Sequence, residues 1–308
     1  MSNAQSDLPS ENYIRVRNRT TDEGSSRDLS YPEVPEPLEV GVYDNHTHLE
    51  IADGENPMDY REHLELASQA GILGGVQVGG SVETSIWSAK TAAIEPRLLA
   101  AVALHPNVAA EYETIQELDA AIAEISKLAS EPRVRAIGET GLDYFRTGPE
   151  KLFLQQHSFE AHIEIAKENN IALQIHDRDA HEDVVATLLK VGAPKHTVFH
   201  CFSGDVALAE TLKEHGWYAS FSGTVTFKKN QYLRDALRVM PRELIMVETD
   251  APFLTPEPLR GRPNSPYLIG ITVRAMAEVL ELEVNALAEQ LTKNTETVYG
   301  NWTEGLDG

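Results

Sequence analysis

Six side chains able to bind a cation or move a proton stand in five short polar clusters, each directly after an apolar run. Asp44-Asn45-His46-Thr47-His48 carries two histidines at i and i+2. On an extended segment that spacing turns both imidazoles to one side, where they can share one metal. Gly138-Glu139-Thr140-Gly141-Leu142-Asp143-Tyr144 places Glu139 in a glycine-flanked turn, where a carboxylate can bridge two cations or merely cap a helix. Ile175-His176-Asp177-Arg178-Asp179-Ala180 and Phe199-His200-Cys201-Phe202-Ser203-Gly204 each set one histidine at an equivalent position. Val247-Glu248-Thr249-Asp250-Ala251-Pro252 adds Asp250, which can join the same site or belong to a solvated acidic loop. Each cluster alone has an ordinary structural reading. Four histidines, one glutamate and one aspartate in equivalent places do not. Mixed imidazole and carboxylate donors suit zinc, manganese or similar cations better than calcium, which prefers oxygen throughout. Cys201 follows a candidate ligand; the pleat predicts that its side chain points away, as a core thiol.

The elements that would position these residues can be read from the apolar pattern. Eight runs rich in small and β-branched residues predict buried strands: Val40–Tyr43, Gly74–Val78, Leu99–Leu104, Val134–Ile137, Ala172–Ile175, Thr197–Phe199, Tyr218–Phe221 and Ile245–Val247. Helical stretches lie between them, such as Tyr60–Ala70, Ile115–Ala129, Gln155–Asn169, Asp183–Val191 and Ala207–His215, with Tyr267–Leu280 and Val284–Thr292 closing the chain. Strand–helix alternation repeated eight times predicts an α/β fold of the (β/α)8 barrel type over residues 38–308. The five clusters then share the face where strands end, on which such barrels build active sites. Asp250 would stand beside His46 and His48, because the first and eighth strands are neighbours in a closed barrel. Residues 1–37 are polar, charged and punctuated by Pro32, Pro35 and Pro37, and are expected to form a flexible tail.

The chain has 308 residues, 42% of them hydrophobic, enough for a sizeable core. No apolar run approaches the ~20 residues of a membrane helix. Its start lacks a basic stretch leading into an apolar one, and its single cysteine fits a reducing compartment, so a cytoplasmic location is expected. The formal net charge is −22, which works against broad attraction to nucleic acid or anionic membranes. A phosphate-bearing substrate must therefore meet locally positive ground, which bound divalent cations would supply.

The clusters, taken in order, make the chain resemble the TatD family of metal-dependent deoxyribonucleases among the amidohydrolase-like barrels. The resemblance rests on D-N-H-T-H-L-E, A-L-H-P, G-E-T-G-L-D-Y, I-H-D-R-D-A, H-C-F-S-G, E-T-D-A-P-F-L-T-P and R-G-R-P-N, from about Tyr43 to Asn264. It implies two divalent ions, Mg, Mn or Zn. His46, His48 and Asp250 would hold one, His176 and His200 the other, and Glu139 would bridge them. Two departures stand out: Glu50, where the family usually has aspartate, and Ser265, where glutamate is frequent. Neither is expected to touch a ligand; both bear on substrate preference.

Around this set, His105 in Leu104-His105-Pro106 is expected either to contact substrate or to make a structural hydrogen bond. Arg178 can grip a phosphate through its fork or pair with Asp177 or Asp179. Arg260, Arg262 and Asn264 would flank the substrate path or form a solvated loop, with Arg262 the substrate-binding candidate among them. Glu248 and Asp143 are candidates for holding ligands in place. Asp250 and Glu139 are the expected catalytic carboxylates. The function implied by the resemblance is cleavage of phosphodiester bonds in DNA, on single strands or at ends, with neither a membrane nor an obligate protein partner. The alternatives are an amidohydrolase-type enzyme acting on a small ester, lactone or amide, and a non-catalytic metal-binding scaffold.

Overall fold

Strands covered on both faces must be apolar in both directions. Leu98–Val102 meets this condition with every residue fully buried. In the computed structural model, Leu98, Ala100 and Val102 pack outward under helices, while Leu99 and Ala101 point into a second, inner cluster with Val76, Val78, Ala136, Ala172, Val198 and Met246. Such layering is how a barrel of parallel strands fills its own interior. The structure describes residues 13–20, 24 and 26–305.

The strands are β1 Val42–Thr47, β2 Ile72–Gly79, β3 Leu98–Val102, β4 Val134–Asp143, β5 Ala172–Arg178, β6 Thr197–Phe199, β7 Tyr218–Phe221 and β8 Ile245–Val247. They pair in parallel, in sequence order. The ring closes past β8, where Thr47 pairs with Ala251, Asp250 N–H donates to His46 O at 2.9 Å and His48 N–H donates to Ala251 O at 2.8 Å. The helices are α1 Tyr60–Gln69, α2 Val82–Ile94, α3 Pro106–Ala109, α4 Ile115–Leu128, α5 Leu152–Asn169, α6 His181–Val191, α7 Val206–His215, α8 Gln231–Val239, α9 Ile269–Leu280 and α10 Val284–Tyr299. Local sequence starts several of them. Asp59 with Glu62, Ser81 with Thr84, and Thr114 with Glu117 form reciprocal capping boxes at α1, α2 and α4.

Strands β6, β7 and β8 run as the apolar pattern predicts. Strands β1, β4 and β5 run further, so that His46, Glu139 and His176 lie within strands rather than beyond them. The pairing register slips between Asp44 and Thr47 in β1 and between Ile137 and Thr140 in β4. Such irregularities re-aim side chains, and His46 and Glu139 sit at the two slips. Further along β4, Gly141 has φ +143°, and a Cβ there would come within 2.1 Å of His176 O, so no other residue lets β4 run past β5 here.

Of the stretch expected to be a tail, residues 1–12 lie outside those described. Residues 21–23 and 25 lie outside them too, and the described remainder is laid against the barrel. Ile14 pairs with Ala52, Glu55 N–H donates to Leu29 O at 3.0 Å, and Leu38 N–H donates to Ala70 O at 3.0 Å. Leu29 and Leu38 are buried. Composition hid this because the segment is held by arginine side chains, scattered backbone bonds and a few apolar anchors, none of which makes an apolar pattern.

Candidate metal centre

The mouth is set first by a clamp. Asp44 is fully buried and receives Thr249 N–H at 2.9 Å, Thr249 Oγ1 at 2.5 Å and His46 N–H at 3.2 Å. It joins the end of β1 to the segment after β8, and so brings His46 and Asp250 together. Asp250 takes a left-handed backbone, φ 55°, as does Cys201 at φ 42°. This costs about 1–2 kcal/mol for a residue with a side chain, and both side chains line the resulting cavity.

Hydrogen-bond partners identify which ring nitrogens face that cavity. Gln174 Nε2 donates to Asn45 O and to Tyr299 Oη, so its Oε1 is free to accept from His46 Nδ1 at 3.0 Å. His48 Nδ1 lies 3.0 Å from Val78 O, a carbonyl that can only accept. When neutral, each ring therefore carries its hydrogen on Nδ1 and turns a bare Nε2 inward; burial opposes charge on His48, but Glu139 and Glu50 outweigh it and raise that ring well above the ordinary imidazole range. The two Nε2 atoms are 3.1 Å apart. Facing them are Glu139 Oε1, 3.3 Å from His48 Nε2, and Asp250 Oδ1, 3.6 Å from it. Four electron-rich atoms thus converge, and a cation satisfies all four at once.

The other oxygen of Glu139 looks the opposite way. Oε2 lies 3.0 Å from His200 Nε2, 3.2 Å from His176 Nδ1 and 3.6 Å from His105 Nε2. His176 is held on its far side by Asp143 Oδ2 at 3.3 Å, and His200 Nδ1 lies 3.4 Å from Glu248 Oε1. Glu248 is fully buried, and its Oε2 has no partner among the described residues. His105 differs from the rest. It caps α3, and its Nδ1 accepts Asn107 N–H at 3.0 Å, so the neutral ring carries its hydrogen on Nε2 and offers a donor, not a lone pair. Groups of donor atoms close enough to hold an ion comprise His46, His48 and Asp250; His46, His200 and Glu248; and His105, Glu139 and His176. The donor hydrogen on His105 leaves Glu139, His176 and His200 as the better second set.

The charges follow from crowding. Burial and neighbouring His200 push His46 down to about 4. Burial acts the same way on His200, but Glu139 and Glu248 outweigh it and raise the ring to about 10. Burial opposes charge on Glu139 too, yet His105 and His200 hold it well below the ordinary carboxylate range. Burial lifts Asp250 to about 7, with His48 and His200 pulling the other way.

A family model described as TatD related DNase matches residues 43–300. The chain belongs to this family. An uncharacterized metal-dependent hydrolase TatD of Mycobacterium tuberculosis is 40% identical over 263 residues, covering 84% of this chain and 98% of that protein. The uncharacterized metal-dependent hydrolase YabD of Bacillus subtilis is 32% identical over 84% of this chain and 98% of its own. Among solved structures, YJJV, a TatD homolog from Escherichia coli, superimposes with a TM-score of 0.77 at 25% identity, over 84% of this chain and 98% of that one. The protein is thus a metal-dependent hydrolase of the TatD family with a barrel fold. No helix among the described residues is long and apolar enough to cross a membrane.

In this TatD-family barrel the six residues singled out from sequence, His46, His48, Glu139, His176, His200 and Asp250, all line or adjoin one cavity of about 440 Å³. His105, Arg178 and Asp143 line it too. Arg178 makes no ion pair with Asp177 or Asp179; its guanidinium lies 4.0 Å over the Phe145 ring, and Asp177 pairs with His181 instead. Three expectations need correction. Arg262 turns away from the cavity: it donates to Ser30 O and Tyr31 O and pairs with Asp28, because the N-terminal segment lies where open solvent was expected. Cys201 is not a core thiol; β6 ends at Phe199, so the pleat no longer governs its direction, and it lines the cavity. Glu50 does approach a candidate ligand: its Oε1 is 3.6 Å from His48 Nδ1.

Sequence reasoning missed Gln174, Asn107, Arg146 and Arg15. Gln174 left a signal, a lone polar residue inside the apolar run Ala172–Ile175. Arg15 left none, standing among other charged residues of an apparent tail.

Proposed function

We propose that this protein is a phosphodiesterase that degrades DNA from an end by two-cation catalysis. The observation that carries the reading is Glu139, whose two oxygens face two separate sets of inward nitrogens. His46, His48 and Asp250 would hold one cation, His176 and His200 the other, and Glu139 would belong to both. Divalent ions there would polarise the scissile group and lower the pKa of water to near neutrality. The chain's own residues do the rest. Gln174, Val78 O, Asp143 and Glu248 fix the rings. The side chain of Asp250 accepts no hydrogen bond among the described residues, which leaves it free to take a proton from the attacking water. His105 offers its Nε2 hydrogen to a substrate oxygen. The cavity of about 440 Å³ is recessed at the barrel mouth, which favours a frayed terminus over the middle of a stiff duplex. Arginines 15, 146 and 178 give its rim positive charge in a chain of net −22.

The test uses end-labelled single- and double-stranded oligonucleotides with Mg²⁺, Mn²⁺ and Zn²⁺ supplied in turn. Stepwise shortening is expected, faster on single strands. If neither strand is shortened with any metal while a small ester or lactone is hydrolysed, the amidohydrolase reading replaces this one.

A further inference from the structure

Two of the three arginines at the rim, Arg146 and Arg178, lie within the stretch the family model matches. Arg15 lies ahead of it. It arrives on the segment Tyr13–Thr20, which is tied down as a strap across the mouth. Arg15 N–H donates to Ala52 O at 2.7 Å and Ala52 N–H donates to Tyr13 O at 2.8 Å. Arg17 is the anchor. Its side chain is 9% exposed and donates to Asp53 at 2.5 Å, to Gly261 O at 2.7 Å and to Pro252 O at 3.3 Å. Asp53 is fully buried and pairs closely with Arg17; Arg15 approaches the same carboxylate only at 3.4 Å. Two guanidinium groups share one carboxylate, so one positive charge is left over at the lip.

That charge is aimed. The Arg15 guanidinium lies 4.4 Å over the ring of Phe253, which meets His48 edge-on at 6.1 Å between ring centres. Arg15 thus stands one ring's width from a candidate ligand. Its Nη1 makes both of its hydrogen bonds, to Pro252 O at 2.6 Å and to Asp53, while Nε and Nη2 have no partner among the described residues. The side chain is 29% exposed and lines the cavity. A stacked guanidinium with open donors is a preorganised receptor for an anionic oxygen pair.

We infer that Arg15 is a specificity-determining residue that receives an anionic group one step removed from the reacting centre, namely the next phosphate of the strand. This rests on the phosphodiesterase reading. A strand whose terminal nucleotide enters the cavity must pass its neighbouring phosphate over the lip, where the strap holds Arg15. The N-terminal segment is then part of the active site, although it precedes the family's common barrel.

The experiment compares two diesters on the full-length, metal-loaded enzyme. Bis(4-nitrophenyl) phosphate has one phosphate; an oligothymidylate has many. The readout is the ratio of kcat/KM for the oligothymidylate to that for the chromogenic diester. Arg15→Gln is expected to lower this ratio about tenfold, through KM for the oligothymidylate, as loss of one charge-assisted contact should. Arg15→Lys keeps the charge but not the planar fork, and is expected to recover only part of the ratio, which a merely structural arginine would not show. Thermal unfolding of each variant verifies that the fold is retained. A ratio in Arg15→Gln within about twofold of the unaltered enzyme overturns the inference. If the unaltered enzyme cleaves carboxylic esters and no phosphodiester, the phosphodiesterase reading fails by itself. Arg15 is then judged by the same ratio, taken between an ester bearing a free carboxylate and its neutral counterpart.

Discussion

The two ends of the barrel treat buried charge in opposite ways. At the floor, Arg133 is 2% exposed and every donor direction ends on a backbone carbonyl: Ala92 O, Trp302 O, Glu304 O, Pro96 O and Leu98 O. Around it, Trp302 stacks on Tyr43 at 4.0 Å and donates to Arg97 O at 3.1 Å. Arg133 keeps no donor free for a ligand. At the mouth, bare nitrogens and carboxylate oxygens converge within 3.0–3.6 Å, Glu248 Oε2 lacks a partner, and Arg15 keeps open donors. Groups saturated by backbone hold the fold together; groups held on one side and bare on the other are poised for chemistry.

Substitutions can break this contrast, and the largest effect belongs to the mouth. Glu139→Ala or His46→Ala should bring turnover to background and remove metal measured by elemental analysis, with thermal unfolding little changed. Chelation should do the same to the unaltered enzyme. Full activity in any of these would sink the metal assignment. Asp250→Asn keeps an oxygen donor but loses the proton acceptor. It should lower kcat at least about a hundredfold while some metal remains bound. Normal turnover with full metal content would move the proton acceptor elsewhere.

The floor should respond in stability alone. Arg133→Met strips five carbonyls of their donor and should cost about 3 kcal/mol in urea unfolding, with unchanged activity per folded molecule. A kinetic defect at full stability would erase the distinction between the ends. Gln174→Leu tests the link between them, since Gln174 reaches from Tyr299 to His46. Loss of that orienting bond should weaken metal affinity by about 10–100-fold; an unchanged affinity means the ring is held by packing.

The smallest effect is a pH slope. His162 lies behind the mouth, with its Nδ1 donating to Ser158 O at 2.7 Å and its Nε2 accepting Leu104 N–H at 3.1 Å. Burial pushes it down to about 4, the Ser158 carbonyl opposing. The unfolded ring titrates near 6.5. The stability this neutral ring contributes is therefore full above about pH 6.5 and is lost as pH falls toward about 4, because the unfolded chain takes up a proton that the native ring refuses. The slope should be about 1.4 kcal/mol per pH unit for this ring. His162→Gln, which can keep both bonds, should flatten the fall in urea midpoint between pH 6.5 and 4.5 relative to the unaltered protein. An equal fall in both proteins would refute it.

What the sequence by itself determined was whatever depends on local pattern. Short apolar runs with no polar alternation predict strands covered on both faces, and Thr197–Phe199, Tyr218–Phe221 and Ile245–Val247 match the strands residue for residue. Polar clusters after those runs placed the candidate set at one end of a barrel, and the family's motifs grouped it. What only the tertiary structure decided was direction and partnership, since both are settled by contacts between residues far apart in the chain. The register slips at His46 and Glu139 arise from pairing between neighbouring strands. The hydrogen on His46 Nδ1 is set by Gln174, 128 residues away, and a backbone N–H leaves His105 a donor. Arg262 and Arg15 differ for the same reason: neither residue type nor spacing tells which guanidinium a distant segment will consume. Ser30, Tyr31 and Asp28 occupy Arg262, while Arg17 takes most of Asp53 and leaves Arg15 facing the cavity.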